Sequence, residues 1–134
     1  DGYTHDMMES FKVANVLHKH HLCDPNAAWS EVPKMLFENN AKIAGRYFDR
    51  ELGVLKEGAS GDVIIVDYDP LTPMNAGNIN GHLVFGVTGH DVVTTVAAGK
   101  VLMKNRRLTE IDEEKVMADC RQAAAELAER INSR

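Results

Sequence analysis

The sequence predicts an α+β chain, and three observations carry that prediction. Apolar residues recur at helical spacing up to about residue 52, they fall into short β-branched runs from Gly53 onward, and the segment after Thr109 returns to a helical period. Met7, Met8, Phe11, Ala14 and Leu17 recur at three- and four-residue steps, so they share one face of a helix expected over residues 6–20. Asp24 and Pro25 break it. A second helix is expected from about Trp29, with Val32, Leu36 and Phe37 on its inner side. Pro33 is tolerated because it falls near the first turn, where a missing N–H costs little. Asn39 and Asn40 are expected to interrupt this helix before a third, short one carries Ala41, Ile43, Ala44, Tyr47 and Phe48 up to Leu52 and Gly53.

Val63, Ile64, Ile65 and Val66 form a continuous β-branched run bounded by turn residues, which reads as a central strand. His82, Leu83, Val84 and Phe85 are expected to form a second strand, and Val92 to Val96 a third. Gly99 and Lys100 sit where a tight hairpin would lead into Val101, Leu102 and Met103. Thr109, Glu110, Ile111 and Asp112 resemble a capping box ahead of a last helix, whose apolar face carries Val116, Met117, Cys120, Ala124, Leu127 and Ile131.

Composition narrows the function classes. The 134 residues are 44% hydrophobic and 26% charged, an ordinary globular balance, and no apolar run approaches the roughly 20 residues a bilayer span needs. A net charge of -5 leaves no basic face to displace counterions from nucleic acid. Cys23 and Cys120 are distant and lack CxxC spacing, so they are expected as free thiols of a cytoplasmic protein.

Spacing alone singles out no catalytic centre. His18, His20 and His21, with His5, are the densest potential metal ligands, but on a helix His18 and His21 share a face while His20 points away. A pair without a third ligand defines no zinc site, and the C-terminal helix dipole accounts for the cluster. Asp67, Asp69 and Asp91 fit turn chemistry. The glycine-containing loop from Gly58 to Gly61 lacks the Lys-Ser/Thr ending of a phosphate-binding loop and enters a strand instead of a helix. Cys23 has no His partner that would activate it, and Lys104 to Arg107 read as a charged turn.

Motif order says more than spacing. Residues 53–67, GVLKEGASGDVIIVD, resemble the segment G-x-L-x-x-G-x-x-A-D-h-h-h-h-D (h, apolar) that follows the catalytic barrel in the amidohydrolase superfamily, with Gly61 in place of the usual Ala, a minor change. Upstream, MLFENNAKIA (residues 35–44) resembles the family's M-A-T-x-N-x-A-x-x-L helix. Downstream, Val92 to Asp112, with VAAGKVLM (residues 96–103) followed by Arg107, Leu108, Thr109, Ile111 and Asp112, is similar to its V-x-x-V-x-V-x-G-K-x-V-h-x-x-G-R-L-x-x-h-D ending. The wording is most similar to the branch of chlorohydrolases, cytosine and guanine deaminases and aminohydrolases linked to selenium metabolism, the last above all.

This resemblance implies the last helices of a (β/α)8 barrel (residues 1–52), part of a small composite β-sandwich domain (53–111) and a C-terminal helix (112–134). It implies a hydrolase of C–N or C–Cl bonds in a small heterocyclic substrate, using a divalent zinc or iron ion. Asp1, followed by Gly2, matches the aspartate that ends the eighth barrel strand, contacts the metal and handles the proton of the attacking water. The chain is accordingly expected to begin inside a longer protein. Tyr3, His5 and Asp6 would lie in the following loop, on the face where barrel sites are built, and would touch substrate; an N-cap role for Asp6 is the other reading. The other metal ligands of the family lack counterparts here, so the isolated chain is expected to hold no metal and to be inactive. It is also expected to associate with itself or with the missing N-terminal part, covering Met8, Phe11, Trp29, Phe37 and an edge near Val92. The competing reading is a non-catalytic β-rich interaction module related to the family in structure only.

Overall fold

The computed structural model describes residues 3–133. Helix α1 (Met7–Leu22) begins where Asp6 accepts the Met8 N–H at 2.8 Å. It ends at Cys23, whose φ of 51° turns the chain left-handed while the Cys23 and Asp24 N–H groups return to the carbonyls of His20 and Lys19. The second helical stretch does not break at Asn39 and Asn40. Helix α2 (Glu31–Lys34) runs through a π-helical turn (Met35–Asn39) into α3 (Asn40–Ala44), with the Asn40 N–H bonded to the Met35 carbonyl five residues back. The wider turn absorbs the two asparagines without ending the helix. Pro33, the third helical residue, costs no hydrogen bond there. Helical structure stops at Ala44, short of the expected Leu52, because Tyr47 and Phe48 are largely exposed and so short an extension gains no packing.

Four antiparallel strands, β1 (Val63–Val66), β2 (Val92–Ala97), β3 (Lys100–Lys104) and β4 (Arg107–Leu108), pair in that order. Strand β1 is therefore not central: among the described residues it pairs only with β2, and it is β2 and β3 that have a neighbour on each side, although Val92, at the start of β2, is in register only with Val66 of β1. Ala98 and Gly99 close the β2–β3 hairpin at φ of 51° and 80°, the geometry of a primed two-residue turn. Asn105 and Arg106 do the same for β3–β4 at 50° and 60°. The Gly61 carbonyl accepts the Gly99 N–H at 2.9 Å, and a Cβ on Gly61 would lie 3.0 Å from the Gly99 nitrogen, so the glycine there permits a close crossing of two backbones.

The strand expected at His82 to Phe85 is helical. A short helix α4 (Ile79–Gly81) leads into a π-helical turn (His82–Gly86), closed by the Val87 N–H on the His82 carbonyl at 2.9 Å. A short apolar run fits a buried helical turn as well as a strand, and contact with α1 decides. Val84 is fully buried with Phe11, Ala28 and Val32 in the core, flanked by Ala14, Leu36 and Leu83. Phe11 is thus covered, contrary to expectation, and stacks edge-on against the half-exposed Phe37 with ring centroids 5.9 Å apart. Trp29 and Met8 are only partly exposed, the indole lying under the Lys19 ammonium at 4.2 Å.

Helix α5 (Glu113–Asn132) is capped by Asp112, which accepts the Lys115 N–H at 3.1 Å. Thr109 does not cap it, because its hydroxyl donates to the Val101 carbonyl at 2.7 Å. The α5 apolar face is uncovered, with Val116, Met117, Leu127 and Ile131 exposed. The chain presents 10716 Å² to solvent, whereas a compact monomer of this length exposes about 7,000 Å². No helix among the described residues is long and apolar enough to cross a membrane.

Candidate functional site

Asp1 and Gly2 lie outside the described residues, so the geometry of the site starts at Tyr3. The loop from Tyr3 to Asp6 enters α1, and its course is set by three hydrogen bonds. The Asp6 N–H bonds the Thr4 hydroxyl at 3.0 Å; the Asp6 carboxylate takes the Met8 N–H with Oδ1 and, across 83 residues of sequence, the Gly89 N–H with Oδ2 at 2.9 Å. Both carboxylate oxygens of Asp6 are engaged by backbone. Tyr3 and His5 are exposed, and Tyr3 lines a small cavity with Glu9, Lys12, Val13, Val87 and Thr88. Tyr3 and Asp6 are therefore both set against the segment from Val87 to Asp91, while the structure gives His5 no hydrogen-bond partner among the described residues.

That segment is tied together by hydrogen bonds. Thr88 donates its N–H and its hydroxyl to Asp91 Oδ2 at 2.7 and 3.0 Å, a capping box on the 3-10 turn Gly89–Asp91. The Thr88 amide, then its hydroxyl, hold the Asp91 carboxyl below the ordinary carboxylate range, with the Arg106 and His90 charges adding to the effect. The Asp91 carbonyl accepts the Asp67 N–H at 2.7 Å, which ties the turn to the end of β1, and the Arg106 guanidinium donates to the His90 carbonyl at 3.1 Å and lies 3.6 Å from the Asp67 carboxylate. Asp62 is likewise lowered, first by the Ala98 N–H at 2.6 Å and then by Ser60. A Cβ on Gly89 would meet the Asp6 carboxylate at 2.5 to 2.9 Å, so a side chain there would displace that carboxylate. Sequence reasoning missed Thr88 and Gly89. The signal was Thr88 followed three residues later by Asp91, a capping pattern hidden inside an expected strand-to-strand loop.

A second polar pair lies apart from this loop. The Tyr68 hydroxyl and His82 Nδ1 are 2.9 Å apart, and Gly86 leaves the space that the Tyr68 hydroxyl fills. His18, His20 and His21 are exposed near the C-terminal end of α1; among the described residues no group of three His, Cys, Asp or Glu side chains is arranged to hold a metal ion. Cys23 and Cys120 are free and exposed.

Comparison with known proteins adds what the geometry lacks. No family model matches the chain. It is 40% identical over 131 residues to the 5′-deoxyadenosine deaminase of Methanosarcina mazei, covering 96% of this chain and 29% of that protein. It is 41% identical over 106 residues to the 5-methylthioadenosine/S-adenosylhomocysteine deaminase of Thermococcus onnurineus, covering 77% of this chain and 24% of the relative. The chain thus spans less than a third of the length of the curated relatives it matches. Among solved structures, an adenosine deaminase from Xanthomonas campestris with bound zinc superposes with a TM-score of 0.74 at 23% identity, over 96% of this chain and 28% of that one, a likeness of fold. A variant of atrazine chlorohydrolase from Arthrobacter aurescens, complexed with zinc and atraton, superposes with a TM-score of 0.61 at 25% identity over 84% of this chain and 25% of that one.

Proposed function

We propose, for a chain that belongs to the amidohydrolase superfamily as the C-terminal portion of one of its hydrolases, that the whole protein deaminates a small adenine-type nucleoside by hydrolysis. The observation that carries this reading is the likeness to 5′-deoxyadenosine deaminases along almost the entire chain. In such a reaction water adds to the ring carbon bearing the amino group, the C–N bond breaks, and the nitrogen leaves as ammonia with a proton from the attacking water. Asp1 is proposed as the carboxylate that takes that proton and returns it to the leaving nitrogen, and as a metal contact. Tyr3 and His5, exposed in the loop that follows, are proposed to face the substrate. Asp6 was expected beside them, but both of its oxygens already bond backbone amides.

A divalent ion, zinc as in the zinc-bound neighbours or iron, is proposed for the whole protein. The described residues do not offer a ligand set that fits it, and its other ligands would come from the rest of the protein. By the same reasoning the isolated chain is proposed to be inactive, and its uncovered apolar surface to be the face on which the rest of the protein, or a second copy, packs. The test is to supply the whole protein with 5′-deoxyadenosine and, separately, with a chlorinated triazine. Ammonia from the nucleoside supports the deaminase reading; chloride from the triazine alone moves the activity to C–Cl hydrolysis; release of neither overturns both.

A further inference from the structure

We propose that Asp6 is a positioning residue: with Gly89 it forms a clamp that fixes the loop from Tyr3 to Asp6 against the Thr88–Asp91 turn. The assignment of that loop to the substrate face rests on the deaminase reading above. The clamp itself rests on geometry. Asp6 Oδ1 caps α1 and Asp6 Oδ2 accepts the Gly89 N–H at 2.9 Å, so one side chain joins the start of the helix to a turn 83 residues away. The turn that presents the Gly89 N–H is held on its other side by Thr88 and Asp91 and is tied to β1 through Asp67. A Cβ on Gly89 would lie 2.5 Å from Asp6 Oδ2, so any side chain there would force the carboxylate to shift, and the exposed Tyr3 lines a cavity that Thr88 also lines. A carboxylate with both oxygens on backbone amides is poorly placed to serve a substrate, and well placed to hold its neighbours in register.

The two functions of Asp6 can be separated, because asparagine caps a helix about as well as aspartate but has only one acceptor oxygen. In Asp6→Asn either the Met8 or the Gly89 amide faces an NH2 group. The experiment compares the whole protein as wild type, Asp6→Asn, Gly89→Ala and the double variant Asp6→Ser with Gly89→Ala, reading amide hydrogen exchange at Gly89 and along residues 3–6 together with kcat and KM. A clamp predicts that Asp6→Asn raises exchange at Gly89 about tenfold or more and loosens residues 3–6 without global unfolding. It also predicts a kcat about tenfold lower with KM changed much less, because misplaced groups are felt in the transition state. Gly89→Ala alone should do the same, and because either change breaks the same contact, the double variant should exchange no faster than Gly89→Ala. Unchanged exchange at Gly89 and residues 3–6 in Asp6→Asn overturns the clamp, as does a wild-type kcat in an Asp6→Asn enzyme. A wild-type protein that releases no ammonia would instead overturn the deaminase reading, and the exchange data would still decide the clamp.

Discussion

The Asn15 side-chain amide donates to the Ala28 carbonyl at 2.9 Å, inside the core and across 13 residues of sequence. Asn15 is fully buried, and Ala28 has a φ of 66°, a conformation that a non-glycine residue keeps only when its surroundings hold it. The bond closes the α1–α2 connection over Phe11, Val32 and Val84. Asn15→Ala leaves a buried carbonyl unpaired and a cavity beside it, and should cost about 2–3 kcal/mol in urea unfolding. A loss under about 0.5 kcal/mol would show that the connection does not depend on this bond.

The Ala98–Gly99 hairpin turn is a place where the chain can be improved. Ala98 sits at a φ of 51° with its side chain exposed, and asparagine tolerates that conformation better than alanine. Ala98→Asn should raise stability by about 0.5–1 kcal/mol. Its amide would still bond Asp62, so the gain would report on the backbone alone.

Acid should loosen the sheet end of the molecule before the helical core. Asp62 and Asp91 are both lowered in the fold by amide hydrogen bonds, so the stability they add is present above the unfolded carboxylate value of about 4 and is lost as pH falls through their lower folded values. The melting midpoint should therefore drop on acidification below about pH 4, and Asp91→Asn should flatten that dependence while lowering the midpoint at neutral pH. A midpoint that Asp91→Asn leaves unchanged at neutral pH would remove the capping box from the account.

Uncovered apolar surface predicts association of the isolated chain. Leu127 and Ile131 lie on the exposed face of α5, and sedimentation at micromolar concentration should show dimers or larger species that Leu127→Lys with Ile131→Lys reduces. A strictly monomeric wild type would mean that this face is solvated as it stands.

What was legible in the sequence had local causes. The spacing of Met7 to Leu17 shows α1, and Val92 to Met103 with a turn at Gly99 shows a hairpin, because both patterns are set by neighbours in the chain. The turn at His82 was not legible, since Val84 is helical on account of Phe11 and Val32, residues far away in sequence. Thr109 looked like a cap because only three-dimensional pairing reveals that the Val101 carbonyl has claimed its hydroxyl. At the site, Tyr3, His5 and Asp6 came from resemblance to a family, whereas the partner that fixes Asp6 came from the Thr88–Asp91 turn. No periodicity links positions 6 and 89.

The measurement closest to the central claim is metal content and ammonia release after this chain is mixed with the separately produced N-terminal remainder of its protein, with Asp1→Asn as control. The account predicts bound metal and ammonia from 5′-deoxyadenosine only in the mixture, with the release lost in Asp1→Asn. A complex that binds metal and deaminates equally well with Asp1→Asn would contradict the role given to Asp1, and an intact complex with neither metal nor activity would contradict the hydrolase itself.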